Sequence, residues 1–365
     1  EAECRQLSVA QQQIVEIAKA LAQDARIIVM DEPSAALSPR ETNGLFRVID
    51  ELKSHGIGII YISHRLDEIF EVADRVTILR DGRHIDTRPI AGLTREKMIE
   101  LMVGRSLERE FPRRVAALGQ ARIEANNLQR GSQVRNVSFN IHAGEVLGLT
   151  GLIGAGRTET ARLLFGADRL EHGFIRFDGE RLTLKSPRDA IRQGICLLTE
   201  DRKTHGLVLG QTARENFGLP NLSQFAPLGF IRQQEESRKF LRYVDQFQIK
   251  IVDPEQITGN LSGGNQQKVV LAKWLQRNAE VIIFDEPTRG IDVGAKYEIY
   301  QLINQLATDG KAILMISSEL PEVLGLSDRI LVMNEGIVTG EITDVAQASQ
   351  EDIMKLATRR QPLVA

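Results

Sequence analysis

Apolar residues in the first hundred positions recur with two different spacings. Residues 7–26 predict a helix, because their apolar side chains return at helical intervals and Ser8 is a suitable N-terminal cap. A second, amphipathic helix is predicted over residues 39–53. The apolar positions of the first helix are Ile14, Ile17, Ala18 and Leu21.

Two short apolar runs, residues 27–30 and 57–62, predict strands on either side of the second helix. Strands that are apolar on both faces and alternate with helices indicate an α/β fold with a mostly parallel, covered sheet. The pairs Asp81-Gly82 and Asp178-Gly179 are typical of hairpin turns.

The periodic pattern breaks over residues 104–120, which predict a linker between a domain at 1–103 and a domain at 121–365. Four arginines in this stretch are expected to be solvated. They are Arg105, Arg109, Arg113 and Arg114.

The two halves of the chain repeat each other. LSVAQQQ at 7–13 matches LSGGNQQ at 261–267, and Asp31 matches Asp285, with a constant offset of 254 positions (261 − 7 and 285 − 31). The second copy begins near Ala121, about 140 residues before its LSGG motif, whereas six residues precede Leu7. We therefore expect the first copy to be the C-terminal part of a unit without its phosphate loop.

A glycine-rich loop opens the second copy. The apolar run at 145–150 is followed by GLIGAGRT at 151–158 and by a predicted helix at 158–165, the strand–loop–helix order of a phosphate-binding loop. Glycines let backbone N–H groups approach phosphate oxygens, and a helix N-terminus favours an anion. The pattern G-x-x-x-x-G-K-S/T is met except that Arg157 stands in place of lysine, which is not a neutral exchange.

Each copy also has an Asp-Glu pair after an apolar strand. A buried aspartate at a strand end suits Mg²⁺, usually through water, and the following glutamate suits a general base. The pairs are Asp31 with Glu32 and Asp285 with Glu286. His64 ends another apolar run and becomes a candidate γ-phosphate contact, whereas the second copy has Ser318 there.

Composition narrows the functional class. The 365 residues are 42% apolar and 26% charged, which is ordinary for a globular chain with about two domains. The net charge of −3 argues against a nucleic-acid surface, and two cysteines are too few for a disulfide framework. No apolar run approaches the ~20 residues that span a bilayer.

Five segments together resemble one protein family, the ATP-binding subunits of bacterial ABC importers. The fused two-domain type, which serves monosaccharides such as ribose, arabinose, galactose and xylose, is the most similar. The segments are LSGGNQQKVVLAKWL at 261–275, DEPTRGIDVGAK at 285–296, ISSELPE at 316–322, GLIGAGRTE at 151–159 and TEDRK at 199–203. The resemblance implies P-loop NTPase domains of the ABC type, each with a mostly parallel sheet, an antiparallel β subdomain and a helical subdomain.

The resemblance also implies that ATP lies between the phosphate loop of one domain and the LSGG signature of the other. One composite site would use Asp31 for Mg²⁺, with Glu32 and His64 as catalytic residues. The facing signature would supply Ser262, Gly263, Gly264 and Gln266. All of these match the family, so this site is expected to be the competent one.

The other composite site departs from the family pattern. It would bind ATP through Gly151, Gly154, Ala155, Gly156, Arg157, Thr158, Glu159, Glu200, Ser318 and Ser8, hold Mg²⁺ with Thr158 and Asp285, and use Glu286 as the base. Arg157, Glu200 and Ser318 replace the family's lysine, glutamine and histidine. Val9 and Ala10 replace the signature glycines and would crowd a phosphate. We expect weak binding or slow turnover there.

The function implied is an ATPase that energises monosaccharide import. Its partners would be membrane permease subunits and, indirectly, a periplasmic sugar-binding protein, with no nucleic acid. It would lie peripherally on the cytoplasmic face of the inner membrane, and a permease contact is expected around residues 200–222.

Two alternatives stay open. A soluble twin-ABC ATPase without a permease, acting in translation or DNA repair, would typically keep two competent sites and a charged linker. An inert remnant would be neither an enzyme nor part of a transporter. The lack of a lysine-bearing phosphate loop favours that hypothesis for these residues.

Overall fold

The computed structural model describes residues 3–7, 9–22, 25–34, 37, 39–63, 65–80, 82–103, 111–112, 114, 118–227, 229–291 and 293–359. The chain forms two compact units, Glu1–Glu110 and Phe111–Ala365. Among the described residues, no helix combines the length and the apolar character that a bilayer crossing requires.

Among its described residues, the first unit contains a two-stranded parallel sheet, an antiparallel hairpin and four α-helices. In chain order they are α1 (Val9–Leu21), β1 (Ile27–Asp31), α2 (Pro39–Ser54), β2 (Gly58–Ile62), α3 (Leu66–Val72), β3 (Arg75–Arg80), β4 (Arg83–Pro89) and α4 (Arg95–Val103). The predicted helices and strands are present, and α1 ends at Leu21, earlier than predicted. The structure confirms the predicted hairpin, with Gly82 at positive φ between β3 and β4.

The prediction that this sheet is covered on both faces is wrong. Alternate residues of β1 and β2 point to opposite sides, and only one side packs on a core. Ile28 and Met30 are buried, whereas Ile27 and Val29 are 65% and 60% exposed. On α1 the predicted apolar face is likewise incomplete, since Ile17 is buried and Ile14 is exposed. Within the first unit, described residues therefore cover one face of the sheet.

The strands of the second unit form two sheets. They are β5 (Ala121–Arg130), β6 (Val134–His142), β7 (Val146–Gly151), β8 (His172–Phe177), β9 (Glu180–Leu182), β10 (Ile195–Leu198), β11 (Val281–Asp285), β12 (Ala312–Ile316), β13 (Arg329–Asn334) and β14 (Ile337–Ile342). The six-stranded sheet has the order β10-β11-β12-β7-β13-β14 and is parallel except for its last strand. A four-stranded antiparallel sheet, in the order β6-β5-β8-β9, packs with it. Asp178-Gly179 forms the predicted turn between β8 and β9.

Helices flank this sheet and form a separate cluster between β10 and β11. They are α5 (Arg157–Leu164), α6 (Pro187–Arg192), α7 (Ala213–Gly218), α8 (Leu222–Phe225), α9 (Gln233–Phe247), α10 (Gly263–Leu275), α11 (Val293–Thr308), α12 (Leu320–Leu326) and α13 (Gln350–Ala357). Phe217, Phe225 and Phe240 form the fully buried centre of the cluster. A buried ion pair between Arg214 and Glu236 links α7 to α9. The predicted antiparallel and helical subdomains are both present in this unit.

The basic stretch at 104–120 differs from a solvated linker at Arg114. The Arg114 guanidinium forms an ion pair with Asp328 and donates to the Gly144 carbonyl at 2.8 Å. Phe111 also packs on Tyr300, with ring centroids 5.3 Å apart. Residues at the start of the second unit thus fasten onto its sheet and helices. Arg105, Arg109 and Arg113 lie outside the described residues.

Matched substitutions at Val29 and at its repeat equivalent Ile283 should have opposite outcomes. Val29→Thr changes an exposed side chain and should alter stability by less than ~0.5 kcal/mol while lowering the binding of an apolar dye such as ANS. Ile283→Thr places a hydroxyl in the fully buried face of β11 and should cost about 2–4 kcal/mol.

Urea unfolding followed by far-ultraviolet circular dichroism reports both units, and the fluorescence of Trp274, the single tryptophan, reports the second unit. Val29→Thr serves as the control for Ile283→Thr in that measurement. Equal stability of the two variants would contradict the difference in burial between the two sheets.

Candidate functional site

The glycine loop joins the end of β7 to the start of α5, and its backbone requires glycine at two positions. Gly151 has φ 152° and Gly156 has φ 96°. A Cβ atom at Gly151 would lie 2.1 Å from the Met333 carbonyl oxygen, and one at Gly156 would lie 2.2 Å from that of Gln133. The loop is therefore pressed against neighbouring backbone, with the α5 N-terminus directly behind it.

Other residues of the loop differ in their accessibility. Ile153 and Gly154 at its tip are exposed, whereas Ala155 is buried, with its amide bonded to the Leu152 carbonyl at 3.0 Å. Ala155 thus holds the turn together from inside. Glu159 lies half-buried in the first turn of α5.

Arg157 points back across the sheet edge. Its Nη1 donates to the Ser317 carbonyl at 3.1 Å and lies 3.5 Å from Oε1 of Glu286. Both side chains of this ion pair are largely buried, at 12% and 10% exposure. The arginine that replaces the expected lysine is therefore bound to the glutamate that was predicted as the base.

The Glu286 carboxylate has a second partner on the other side. Ser318 Oγ donates to its Oε2 at 3.1 Å. The Glu286 backbone lies in the left-handed region at φ 49°, and its N–H donates to the Ile316 carbonyl at 2.9 Å. A non-glycine residue in this conformation needs such support from its surroundings.

Thr158 and Asp285 meet at the centre of the site. Thr158 Oγ1 donates to Oδ1 of Asp285 at 3.3 Å, and Asp285 is 2% exposed at the end of β11. Burial raises the pKa of Asp285 to about 6, against the opposing hydrogen bond from Thr158. Burial also raises the pKa of Glu286. Two adjacent carboxyls with raised pKa values mark a site prepared for a cation or a proton.

The LSGG segment begins helix α10. Ser262 is exposed and caps the helix, accepting from the Asn265 amide at 3.4 Å, and Gly263 and Gly264 are partly accessible. Gln266 differs from its predicted role. It is buried and donates to the carbonyls of Thr258 and Leu261, both at 3.2 Å, so it supports the turn from beneath.

Glu200 forms an ion pair with Arg289, which belongs to the DEPTRG segment at 285–290. Arg202 donates from Nη1 to the Arg289 carbonyl at 3.1 Å, and its Nη2 would lie 2.6 Å from a Cβ atom on Gly263. Sequence patterns gave no sign of these contacts, which join the TEDRK segment to the signature.

The first unit repeats part of this geometry. Glu32 has φ 44° and donates from its N–H to the Ile62 carbonyl at 2.9 Å, as Glu286 does to Ile316. Asp31 was expected to be buried like Asp285, but it is exposed because it lies on the open side of β1. Ser8 and His64 lie outside the described residues, as do the side chains of Val9 and Ala10.

A further carboxylate escaped the sequence patterns. Glu322 is 2% exposed and accepts a hydrogen bond from Ser317 at 2.8 Å. Its repeat equivalent, Glu68, is also buried and accepts from Ser63 at 3.2 Å. The 254-residue offset of the repeat was the signal that could have found this pair.

A glycine loop after a parallel strand, a helix behind it and an Asp-Glu pair on the adjoining strand end define a P-loop nucleotide-binding domain. Comparison with known proteins agrees. Residues 134–289 match the family model described as ABC transporter.

Similar curated proteins cover nearly the whole chain. A ribose/galactose/methyl galactoside import ATP-binding protein of Rhizobium etli is 50% identical over 97% of this chain and 67% of that protein. A ribose import ATP-binding protein of Bacillus subtilis is 49% identical over 98% of this chain and 72% of that protein. The chain therefore belongs to the ABC transporter family of sugar-import ATP-binding proteins, as the sequence predicted.

Solved structures show the same fold. An ATP-binding cassette dimer in a post-hydrolysis state with ADP and Pi aligns with a TM-score of 0.52 at 21% identity, covering 60% of this chain and 97% of that one. Another ATP-binding cassette of an ABC transporter aligns with a TM-score of 0.56 at 21% identity, covering 65% and 98%. The predicted α/β P-loop fold is confirmed, and ATP is the nucleotide of this family.

Substitution of Asp285 by asparagine should stabilise the second unit at neutral and higher pH. Between the ordinary aspartate pKa of 3.8 and the folded value of about 6, the folded chain keeps a proton that the unfolded chain releases. Stability therefore falls as pH rises through this window, and the penalty is fully present above it. Asp285→Asn lacks the penalty, so its advantage should grow to at most about 3 kcal/mol by about pH 8.

Urea unfolding of the metal-free chain, followed by Trp274 fluorescence at about pH 4 and about pH 8, measures the effect. Asp309→Asn, at an exposed aspartate of the same unit, is the control and should show no such trend. A pH-independent difference between Asp285→Asn and the parent chain would contradict the prediction.

Proposed function

We propose that this chain is an ATP-binding and ATP-hydrolysing subunit that energises monosaccharide import through a membrane permease. The observation that carries the proposal is the second unit's phosphate loop beside Asp285 and Glu286, in a chain that is 49% and 50% identical to sugar-import ATP-binding proteins. Ribose and galactose are the substrates named for those relatives, so a monosaccharide is the proposed cargo.

The proposed nucleotide site in the second unit uses the loop amides of residues 151–158, with Glu159 and Ser318 at its edges. Gly151 and Gly156 let the loop pack against neighbouring backbone where a side chain would collide with a carbonyl oxygen. Glu200 stays a proposed contact that first has to leave Arg289. Ala155 acts by holding the loop.

Mg²⁺ fits the oxygen donors at this place. Thr158 Oγ1 and Asp285 Oδ1 are 3.3 Å apart, and hard oxygen ligands suit this ion. The described residues contain no group of three or more acidic, histidine or cysteine side chains placed for a metal, which agrees with an ion held mainly by phosphates and water. When bound, Mg²⁺ would neutralise charge on the phosphates. Asp31 is the proposed counterpart in the first unit.

The two proposed sites should differ in turnover. Glu286 is held between Arg157 and Ser318, so its carboxylate has to leave the guanidinium before it can accept a proton from water. Glu32 is exposed and takes the same left-handed backbone. We propose Glu32 as the principal general base. His64 would contact the γ-phosphate, and the Ser262–Gly264 signature would also bind nucleotide.

Partners and location follow from the same proposal. Residues 1–103 would belong to one nucleotide-binding domain, residues 104–120 would form the connection, and residues 121–365 would form the second domain. Permease subunits would bind directly and a periplasmic sugar-binding protein would act through them. The chain would sit peripherally on the cytoplasmic face of the membrane, with Mg-ATP as its ligand and no nucleic acid.

Nucleotide binding to the 365-residue chain should depend on Thr158 and improve when Arg157 is replaced by lysine. Thr158→Ala removes an oxygen beside Asp285 and should weaken Mg-ATP binding about tenfold, or ~1.4 kcal/mol, with a smaller effect on ATP without Mg²⁺. Arg157→Lys restores the usual loop pattern and frees Glu286, so it should tighten binding.

Titration with a fluorescent ATP analogue measures both effects, and Thr77→Ala on the exposed face of the β3–β4 hairpin is the control. Unchanged affinity in Thr158→Ala would remove the support for a phosphate site at this loop.

ATP hydrolysis by the purified 365-residue chain, outside the transporter proposed above, should be negligible. Residues 1–110 contain no G-x-x-x-x-G-K-S/T loop to bring ATP to Glu32, and the Glu286 carboxylate is bound to Arg157. Loss of positioning typically costs several orders of magnitude in phosphoryl transfer. Phosphate release by the purified chain is the measurement. Rapid release that Glu286→Gln abolishes would show that the second site works unaided.

A further inference from the structure

Glu322 is a buried carboxylate to which the proposed function assigns no role. It lies on α12 and receives hydrogen bonds from three directions. Thr288 Oγ1 and the Tyr300 hydroxyl each donate to Oε1 at 2.5 Å, and Ser317 Oγ donates to Oε2 at 2.8 Å. Lys296 Nζ lies 3.6 Å away. These partners are all donors, which an ionised carboxylate satisfies with both of its oxygens.

The first unit contains the same arrangement around Glu68. Ser34 Oγ donates to both carboxylate oxygens at 2.7 Å, and Ser63 Oγ donates at 3.2 Å. Ser34 and Ser63 are the repeat equivalents of Thr288 and Ser317. In both units the buried glutamate therefore connects the turn after the Asp-Glu pair to the end of the next strand.

In both units a tyrosine hydroxyl donates to the buried glutamate, although the tyrosine stands at a different position of the repeat in each unit. In the first unit Tyr61 on β2 donates to Glu68 at 2.8 Å. In the second unit Met315 stands at the matching place, and Tyr300 from α11 reaches Glu322 instead. A tyrosine hydroxyl arrives from a different element in each copy and makes the same bond.

One end of the Glu322 network reaches the glycine loop. The Ser317 carbonyl accepts from Thr150 Oγ1 at 3.0 Å and from Arg157 Nη1 at 3.1 Å. Thr150 is the next-to-last residue of β7, the strand that leads into the loop. Arg157 directly follows Gly156, the last glycine of the loop. Movement of Arg157 towards a phosphate would therefore break its hydrogen bond to the Ser317 carbonyl.

The other end reaches the signature helix. Thr288 is followed by Arg289 and Gly290, and the Arg289 carbonyl accepts from Arg202 Nη1 at 3.1 Å. A Cβ atom on Gly263 would lie 3.4 Å from the Gly290 carbonyl oxygen and 2.6 Å from Arg202 Nη2. The turn after Glu286 thus packs directly against the start of α10.

We propose that Glu322 is a positioning residue that couples nucleotide occupancy of the loop at 151–158 to the turn at 286–291 and the signature at 262–266. The inference rests on the proposed function, because it requires a nucleotide at that loop. Energetic coupling of this kind passes through a network with two alternative arrangements, here Arg157 bound to Ser317 and Glu286 or bound to phosphate.

Hydrogen exchange of the 365-residue chain with and without Mg-ATP tests the coupling. In the parent chain, Mg-ATP should slow amide exchange at 151–158 and also at 286–291 and 262–266. In Glu322→Gln the slowing at 151–158 should remain, and that at the two distant segments should fall by about fivefold or more, the lower end of ordinary coupling energies. Thr288→Val removes one donor from the same network and should act in the same direction if Glu322→Gln folds poorly.

Glu180→Gln is the matched control, because Glu180 is an exposed glutamate on β9 of the antiparallel sheet, away from the network around Glu322. It should behave as the parent chain does. Full slowing at the distant segments in both Glu322→Gln and Thr288→Val would overturn the inference and leave the proposed function intact. Absence of any slowing at 151–158 in the parent chain would contradict the proposed function itself.

Discussion

The hydrogen bond from the Glu286 N–H to the Ile316 carbonyl is the contact on which the rest of the site depends. It holds a non-glycine residue at φ 49° across the end of a parallel strand pair, so that Asp285 faces Thr158 while Glu286 faces Ser318. Such a backbone persists only where neighbours hold it. The same hydrogen bond between the Glu32 N–H and the Ile62 carbonyl in the first unit shows that both copies of the repeat contain this turn.

Arg157 changes what this turn can do. A lysine ammonium is a compact charge that can follow a phosphate, whereas a guanidinium is a planar group with several donors. Here one guanidinium nitrogen, Nη1, already donates to the Ser317 carbonyl and lies 3.5 Å from Glu286. A phosphate must compete with a largely buried ion pair, and the base must lose its partner before it accepts a proton from water. The weak binding and slow turnover proposed for this unit would share this one structural cause.

Sequence patterns predicted the strand, loop and helix around Gly156 and the hairpin at Asp178-Gly179, because these depend on residues close in the chain. They did not predict the partners of Arg157, Arg114 or Glu200. Arg157 and Ser317 are 160 residues apart and meet only through the order of strands in the sheet. The exposed side of β1 was also missed, since an apolar run does not reveal whether anything covers it.

In the two units, the turn after the Asp-Glu pair is supported by one set of contacts, and the burial of the sheet depends on others. Asp285 is buried and Asp31 exposed, yet Glu32 and Glu286 have nearly the same backbone, at φ 44° and 49°. What the two turns share is the strand-to-strand hydrogen bond and the buried glutamate, Glu68 or Glu322, behind them. Local support is therefore sufficient to set the position of the candidate base, while burial sets the electrostatics of the neighbouring aspartate. The two copies can therefore share the backbone geometry of this turn while the surroundings of their aspartates differ.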